Sequence, residues 1–363
     1  MVVVVKIGTS SITVAGGAID AAAITKLCAE VASVRQEGHQ VVVVTSGAIS
    51  AGLPPLGFSG RRPADLATLQ AVAAVGQSHL MQVYNVALAS LGLVGGQVLL
   101  APLDFVHRKQ YLHARQTLQR LLELGVVPIV NENDAVADDE IRYGDNDRLA
   151  ALVAHLVRAD LLVLLTDTPG LLTADPRLDE GASLIEEIVE VDHELEAVAG
   201  GAGSRAGSGG MASKLASAKI AAWSGVRVVI AAAGRDGVLV DALAGRAGVG
   251  TVVRPHDRRL AARKLWIAFA VKASGTVVVD EGAKRALVER QTSLLPAGVV
   301  EVQGSFDAED AVEIAGPDGT VFAKGLARHP ARRVKEWAGR QTSTLPPELA
   351  HEVVHRDDLV VLP

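Results

Sequence analysis

Short apolar runs alternate with longer amphipathic stretches over the first 253 residues of the chain. Runs this short and this rich in Val, Leu and Ile predict strands that are buried on both faces of a sheet. They are Val2–Val5, Val41–Val44, Gly96–Leu100, Val126–Val130, Leu161–Leu165 and Val226–Ala231. Helices are predicted between them, at about residues 21–37, 66–91, 109–124, 147–156 and 214–224. This alternation predicts an α/β fold with a parallel sheet between two helical layers.

The pattern changes after about Arg254. A helical linker is predicted first, and short strand-like segments separated by turn signals follow it. These segments are Thr276–Asp280, Val299–Gln303, Ala311–Ala315 and Val321–Lys324. We therefore expect three parts: a catalytic α/β domain at 1–253, a linker at 254–274 and a small, mostly β module at 275–363.

The composition fits a globular protein, because 49% of the 363 residues are apolar and 21% are charged. The net charge of −6 argues against coating of nucleic acid or anionic membrane through bulk positive charge. Cys28 is the one cysteine, which excludes a disulfide framework within the chain and a multi-cysteine metal site. No apolar run approaches the roughly 18–20 residues of a membrane span, and no signal peptide is recognised. We expect a cytoplasmic location.

Polar residues follow two of the predicted strands, in the sequences KIGTSS (Lys6–Ser11) and TSGAI (Thr45–Ile49). Ligands of parallel sheets gather beyond the carboxyl ends of strands, and small residues let backbone N–H groups approach an anion closely. Lys6 would add a point charge, and Ser46 would donate to a carboxylate or phosphate. Ordinary strand-ending turns with a solvated lysine are the alternative interpretation of both motifs.

Four consecutive polar side chains, Asn131–Asp134, directly follow the predicted strand that ends at Val130. Such a group is costly to bury unless its members are paired. The nearby sequence GDND (Gly144–Asp147) would cap the next helix, which explains one of its polar residues but not two adjacent clusters. Asp134 is expected to pair with a substrate ammonium group, and Asn146 with a substrate carboxylate or amide.

Two further motifs suit a nucleotide. Thr166 and Asp167 follow the fifth predicted strand, and the sequence GSGGMASK (Gly207–Lys214) opens a helix. Backbone N–H groups at a helix start favour phosphates, although the P-loop order of residues is absent. A strand-ending turn and a flexible linker with a solvated Lys214 are the alternatives.

Taken together and in this order, the motifs KIGTSS, TSGAI, NENDAV, GDND, TDTPGLLTADPR and GSGGMASK closely resemble those of the glutamate 5-kinases in the amino acid kinase family. The segment that begins TVVVDEGAKRALVERQTSLLPAG resembles a PUA domain. The resemblance implies a three-layer sandwich with a mainly parallel central sheet, followed by a PUA-like barrel. The chain departs from the family pattern at two positions. Pro169 stands where a lysine is expected, and Leu172 stands where a tyrosine is expected.

The resemblance implies a phosphotransferase with a carboxyl group as acceptor. It would phosphorylate the side-chain carboxylate of L-glutamate with ATP and Mg²⁺, the first step of proline biosynthesis. Glutamate would be bound by Ser46, Asp134 and Asn146. ATP would be bound by Lys6, Thr166, Asp167, Ser208, Gly209, Gly210, Met211, Ala212, Ser213 and Lys214. The expected catalytic residues are Lys6 and Lys214, held by Asp147; no protein side chain is assigned to the metal.

The resemblance also implies a homo-oligomer, a dimer or a tetramer, and functional coupling to glutamyl phosphate reductase. Residues His107–Arg142 resemble the region linked to feedback inhibition by proline. Two alternatives stay open: a kinase for another amino acid or a carbamate, and an RNA-binding PUA protein. The basic face of the latter would comprise Arg258, Arg259, Arg263, Lys264, Arg332, Arg333 and Lys335. We expect no RNA binding, because the residues from Arg254 onward carry 16 basic against 15 acidic side chains.

Overall fold

A computed structural model describes residues 1–14, 17–58, 62–105, 107–136, 146–174, 179, 181–191, 195, 199, 210–256, 260–271, 273–345 and 352–362. The chain divides into two compact units, Met1–Arg259 and Leu260–Pro363. This division falls within residues 254–274, which the sequence assigns to a linker. The exact boundaries of the three expected parts stay a prediction. None of the helices described is long and apolar enough to cross a membrane.

The first unit is built on a sheet with the strand order β3-β4-β2-β1-β5-β7-β8-β6. Its strands are β1 Val2–Ile7, β2 Gln40–Val44, β3 Gly95–Leu100, β4 Val127–Glu132, β5 Leu161–Thr166, β6 Glu187–Ile188, β7 Arg227–Ala232 and β8 Thr251–Val253. Only the pairing of β7 with β8 is antiparallel among the described strand pairs of this sheet. The expected mainly parallel central sheet is confirmed.

Helices cover both faces of this sheet. They are α1 Thr9–Ile12, α2 Ala21–Gln36, α3 Ala48–Gly52, α4 Leu66–Ser90, α5 Arg108–Glu123, α6 Asn146–Val157, α7 Met211–Trp223 and α8 Val238–Ala244, with a 3-10 turn at Pro102–Phe105. Side chains of α2, α4 and α8 share one core with Val3, Val5 and Ile7 of the central strand. The helices α5, α6 and α7 contact the strands without joining that core and form the other layer.

The second unit carries a five-stranded sheet with the order β10-β9-β11-β12-β13. Its strands are β9 Gly275–Val279, β10 Val299–Gly304, β11 Ala311–Ala315, β12 Val321–Ala327 and β13 Val354–Val361. Its helices are α9 Ala262–Leu265, α10 Glu281–Arg290 and α11 Ala331–Trp337, with a π-helix at Trp266–Ala270 and 3-10 turns at Pro296–Gly298 and Thr342–Thr344. The expectation of a small second unit that is mostly β is confirmed, whereas β13 and the helices α10 and α11 were not predicted.

Candidate active site

A cavity of about 680 Å³ lies at the carboxyl ends of β1, β2, β4 and β5. Most of the site residues expected from the sequence line it: Lys6, Ser46, Asp134, Asn146, Thr166, Asp167, Gly210, Met211 and Lys214. Ala212 and Ser213 belong to the first turn of α7 and are not part of the lining. Strands that end side by side in a parallel sheet therefore bring together motifs that are far apart in the sequence.

Several motif residues lie outside the described residues. They are Ser208 and Gly209 of the glycine-rich motif, Gly144 and Asp145 before α6, the end of the LLTADPR stretch, and Arg258 and Arg259 of the basic face. The roles expected for these residues stay predictions.

A buried ionic triad closes the cavity at the end of β1. Asp147, in the first turn of α6, has no exposed surface and contacts two lysines. Its Oδ1 lies 2.6 Å from Nζ of Lys6, and its Oδ2 lies 3.1 Å from Nζ of Lys214. Both ammonium groups are nearly buried, so their positions depend on the carboxylate between them. The triad leaves one net positive charge beside the cavity.

A chain of buried amides supports the part of the cavity that Asn131 and Asn146 line. Asn146 Nδ2 donates to the carbonyl oxygen of Thr45 at 2.6 Å and to Oδ1 of Asn131 at 2.7 Å. Asn131 Nδ2 in turn donates to Oε1 of Gln77 on α4 at 2.8 Å. A second residue of α4, Tyr84, hydrogen-bonds through its hydroxyl to Oγ1 of Thr45 at 2.8 Å.

The bonding partners fix the orientation of the Asn146 amide. A backbone carbonyl only accepts hydrogen bonds, so the NH₂ end of Asn146 must face Thr45. Both hydrogens of that NH₂ group are then used, and Oδ1 stays buried without a hydrogen-bond partner among the described residues. A ligand that contacts Asn146 Oδ1 must therefore bring a donor. Of the two partners expected from the sequence, an amide can donate through its N–H and an ionised carboxylate cannot; an ammonium group can also donate.

Asp134 is a half-buried carboxyl on the same cavity wall. Burial raises the pKa of Asp134 to about 6, and the nearby positive charge of Arg62 acts in the opposite direction. Desolvation of the charged form explains the shift, and an incoming cation would offset it. A carboxylate in this environment gains a counter-ion when an ammonium group binds.

The residues that the sequence assigns to the nucleotide begin where β5 ends. The hydroxyl of Thr166 donates to Oδ1 of Asp167 at 3.0 Å, and Asp167 is exposed at the cavity rim. The backbone N–H of Leu171 donates to Oγ1 of Thr251 at 2.8 Å, which fastens the following loop to β8. A side chain at Gly170 would place Cβ only 2.6 Å from the same Oγ1, so the close approach requires glycine.

The N-terminus of α7 faces the same cavity. Gly210 is its N-cap and Met211 its first residue, and both line the cavity beside Lys214. The backbone N–H groups in the first turn of a helix have no partners within the helix and attract anions. Together with the two lysines of the triad, they make this end of the cavity suited to phosphate.

Four residues at the cavity were not assigned a role from the sequence. Arg62 and Asn131 line it, and Gln77 and Tyr84 bond to Asn131 and Thr45 from α4. Asn131 belongs to the motif NENDAV, whose density of polar residues was the available signal. Gln77 and Tyr84 lie within a long helix and carry no local signal of a site. Among the residues that the structure describes, no group of three or more His, Cys, Asp or Glu side chains could hold a metal ion.

Comparison with known proteins gives two family matches. Residues 1–232 match the model of the amino acid kinase family, and residues 275–346 match the PUA domain. The solved structure of carbamate kinase from Giardia lamblia bound to AMP-PNP is similar in fold, with a TM-score of 0.51 and 18% identity. That match covers 70% of this chain and 98% of the Giardia chain.

Curated relatives match over nearly the whole chain. Glutamate 5-kinase from Mycobacterium ulcerans (strain Agy99) is 48% identical over 361 residues, covering 99% of this chain and 96% of the relative. Glutamate 5-kinases from Burkholderia multivorans (strain ATCC 17616 / 249) and Trichlorobacter lovleyi (strain ATCC BAA-1151 / DSM 17278 / SZ) are 46% and 44% identical. These two matches cover 99% of this chain and 97% and 96% of the relatives. The chain therefore belongs to the amino acid kinase family and, within it, to the glutamate 5-kinases.

Proposed function

We propose that this protein transfers the γ-phosphoryl group of ATP to the side-chain carboxylate of L-glutamate, giving L-glutamyl 5-phosphate and ADP. In proline biosynthesis this is the first step. The observation that carries the proposal is the triad of Lys6, Asp147 and Lys214 beside a cavity that Asp134 and Asn146 also line. The lysines suit phosphate, and the Asp134 carboxylate suits the ammonium group of an amino acid.

The chemistry requires positioning and charge neutralisation more than proton transfer. The acceptor carboxylate is ionised at pH 7, so it attacks the γ-phosphorus without a general base. An oxygen–phosphorus bond forms to the carboxylate while the bond from the γ-phosphorus to the bridging oxygen breaks, and ADP leaves with that electron pair. Lys6 and Lys214 stabilise the charge that spreads over the transferred group. Asp147 holds the two ammonium groups at fixed positions.

Glutamate is proposed to bind with its ammonium group at Asp134. The raised pKa of that carboxyl has burial as its main cause, and a bound cation would compensate for the lost hydration. Asn146 Oδ1 would accept a second hydrogen bond from the same group. Ser46, at the end of β2, would donate its hydroxyl to a carboxylate of the substrate.

ATP is proposed to bind along Thr166, Asp167 and the first turn of α7, with Lys6 and Lys214 at its phosphates. The described residues provide no cluster of metal ligands, and both oxygens of Asp147 contact lysines. We therefore expect Mg²⁺ to be held by the phosphates and water, with few protein ligands. When bound, Mg²⁺ neutralises phosphate charge.

The test is formation of an acyl phosphate. Purified protein is incubated with ATP, Mg²⁺ and L-glutamate, and hydroxylamine traps the product as the hydroxamate. Lys214→Ala should abolish the signal, whereas Lys219→Ala, on the same helix but outside the cavity lining, should retain it. A wild-type signal no higher than that of Lys214→Ala would refute the proposal. A panel of other amino acids and carbamate decides between glutamate and the alternative acceptors.

Several expectations remain predictions. They are the cytoplasmic location, the homo-oligomer, feedback inhibition by proline, coupling to glutamyl phosphate reductase and the assignment of catalysis to residues 1–253. Adding proline to the hydroxamate assay tests the third directly.

A further inference from the structure

Gln77 is a buried polar residue that does not line the cavity. It lies in the middle of α4 with 8% of its surface exposed, and the buried helix positions around it, Val72, Ala73, Leu80 and Met81, are apolar. Its Nε2 has no hydrogen-bond partner among the described residues. An unsatisfied buried donor is costly, so an amide at this position needs a compensating role.

The role is visible at the other end of the amide. Gln77 Oε1 accepts the hydrogen bond of Asn131 Nδ2. Asn131 cannot turn its amide over, because its Oδ1 accepts from the backbone N–H of Glu132 at 2.9 Å. The same Oδ1 accepts from Asn146 Nδ2. The hydrogen bonds therefore run in one direction, from Asn146 to Asn131 and from Asn131 to Gln77.

Close helix packing fixes the position of Gln77. Its neighbour Gly76 meets α3 so tightly that a Cβ there would lie 1.8 Å from the carbonyl oxygen of Ala48. Seven residues further along α4, Tyr84 bonds to Thr45, whose carbonyl is the second acceptor of the Asn146 amide. The helix α4 thus supports both acceptors that orient Asn146.

We propose that Gln77 is a positioning residue for recognition of the substrate amino group. Through Asn131 it supports one of the two acceptors of the Asn146 NH₂ group, and the Asn146 oxygen is left without a partner among the described residues. Without the Gln77 acceptor, Asn131 Nδ2 is left unpaired, and the Asn131 oxygen that accepts from Asn146 is held less firmly. This inference rests on the proposed function, because it assigns glutamate to that wall of the cavity.

The experiment compares three variants by steady-state kinetics in the hydroxamate assay. Gln77→Met keeps the length of the side chain and removes the acceptor. Gln77→Glu retains an oxygen acceptor at the same position. Gln82→Met makes the same chemical change at an exposed position of the same helix and serves as the control.

We expect Gln77→Met to raise the KM for glutamate about tenfold or more, the effect of leaving a buried hydrogen-bonding group unpaired. The KM for ATP should stay within about twofold, because the nucleotide wall is not part of the relay. Gln77→Glu should recover most of the loss, and Gln82→Met should match the wild type. If Gln77→Met does not fold, Gln77→Ala is measured in its place.

Other results would overturn the inference. If Gln77→Met matches Gln82→Met in its KM for glutamate, the relay has no role in recognition. If both KM values rise together, or if Gln77→Glu is as impaired as Gln77→Met, Gln77 acts only in packing. These outcomes are distinct from failure of the proposed function, in which the wild-type protein itself forms no hydroxamate with glutamate.

Discussion

Asp147→Asn removes the charge of the buried triad while preserving the size of the side chain. The variant leaves two nearly buried ammonium groups, Lys6 and Lys214, without the carboxylate that lies 2.6 Å and 3.1 Å from them. The two lysines then repel each other and are free to leave their positions at the phosphate end of the cavity. Both the stability of the first unit and the rate of phosphoryl transfer should fall.

The magnitudes follow from burial. Removing one partner of a buried ion pair costs about 3–5 kcal/mol, because the other charge stays desolvated and unpaired. We expect the free energy of unfolding to fall by about that amount. Losing one preorganised group that stabilises transition-state charge lowers kcat by about 10²–10³, and Asp147→Asn disturbs two such groups. We therefore expect kcat to fall by at least about a hundredfold.

Urea unfolding followed by circular dichroism measures the first effect, and the hydroxamate rate at saturating ATP and glutamate measures the second. Asp236→Asn is the matched control, since Asp236 pairs with Lys26 but is almost fully exposed. Exposed ion pairs contribute little, so this variant should behave as the wild type. If Asp147→Asn keeps wild-type stability and a kcat within about threefold of wild type, the assigned role of the triad is wrong.

Three further predictions concern the cavity wall and the core. Burial raises the pKa of Asp134 to about 6, so below that pH the carboxyl takes up a proton and loses its attraction for ammonium. A pH profile should therefore show the KM for glutamate rising below about pH 6. Asp134→Asn should abolish this dependence. Gly76→Ala should lower the unfolding free energy by about 1–3 kcal/mol or more, because the added methyl overlaps Ala48. Burial raises the pKa of the Cys28 thiol to about 12, so it should react with a disulfide reagent only after denaturation.

Each of these predictions has a result that contradicts it. A KM for glutamate that does not change between pH 7 and about pH 5 would exclude ionised Asp134 as the ammonium partner. A wild-type unfolding curve for Gly76→Ala would mean that α3 and α4 can separate at little cost. Rapid labelling of native Cys28 would mean that the layer containing α2 opens readily.

The strands of the first unit were predictable because burial on both faces leaves an unbroken apolar run. Val2–Val5 and Leu161–Leu165 both fall within observed strands that pair with each other. The strand β13 (Val354–Val361) was missed because charged residues interrupt it, as in its sequence VHRDDLVV. A strand that shows charges to solvent loses the pattern that identifies it.

The candidate site was predictable only in part. Polar clusters at strand ends indicated Lys6 and Asp134, because the topology of a parallel sheet gathers such ends together. The polar motif before α6 indicated Asn146. The relay through Gln77 could not be derived, since its members lie 54 residues apart in the sequence and meet only in the fold. The orientation of the Asn146 amide likewise depends on the position of the Thr45 carbonyl, which is a property of packing.

The central claim is that an oxygen of the glutamate side-chain carboxylate attacks the γ-phosphorus of ATP. Glutamate labelled with ¹⁸O in that carboxylate tests it directly. Hydroxylamine attacks the acyl carbon of the product and releases phosphate together with the bridging oxygen. The account predicts that each released phosphate carries one ¹⁸O atom, as measured by mass spectrometry. Unlabelled phosphate, released at the rate of ADP formation, would contradict it.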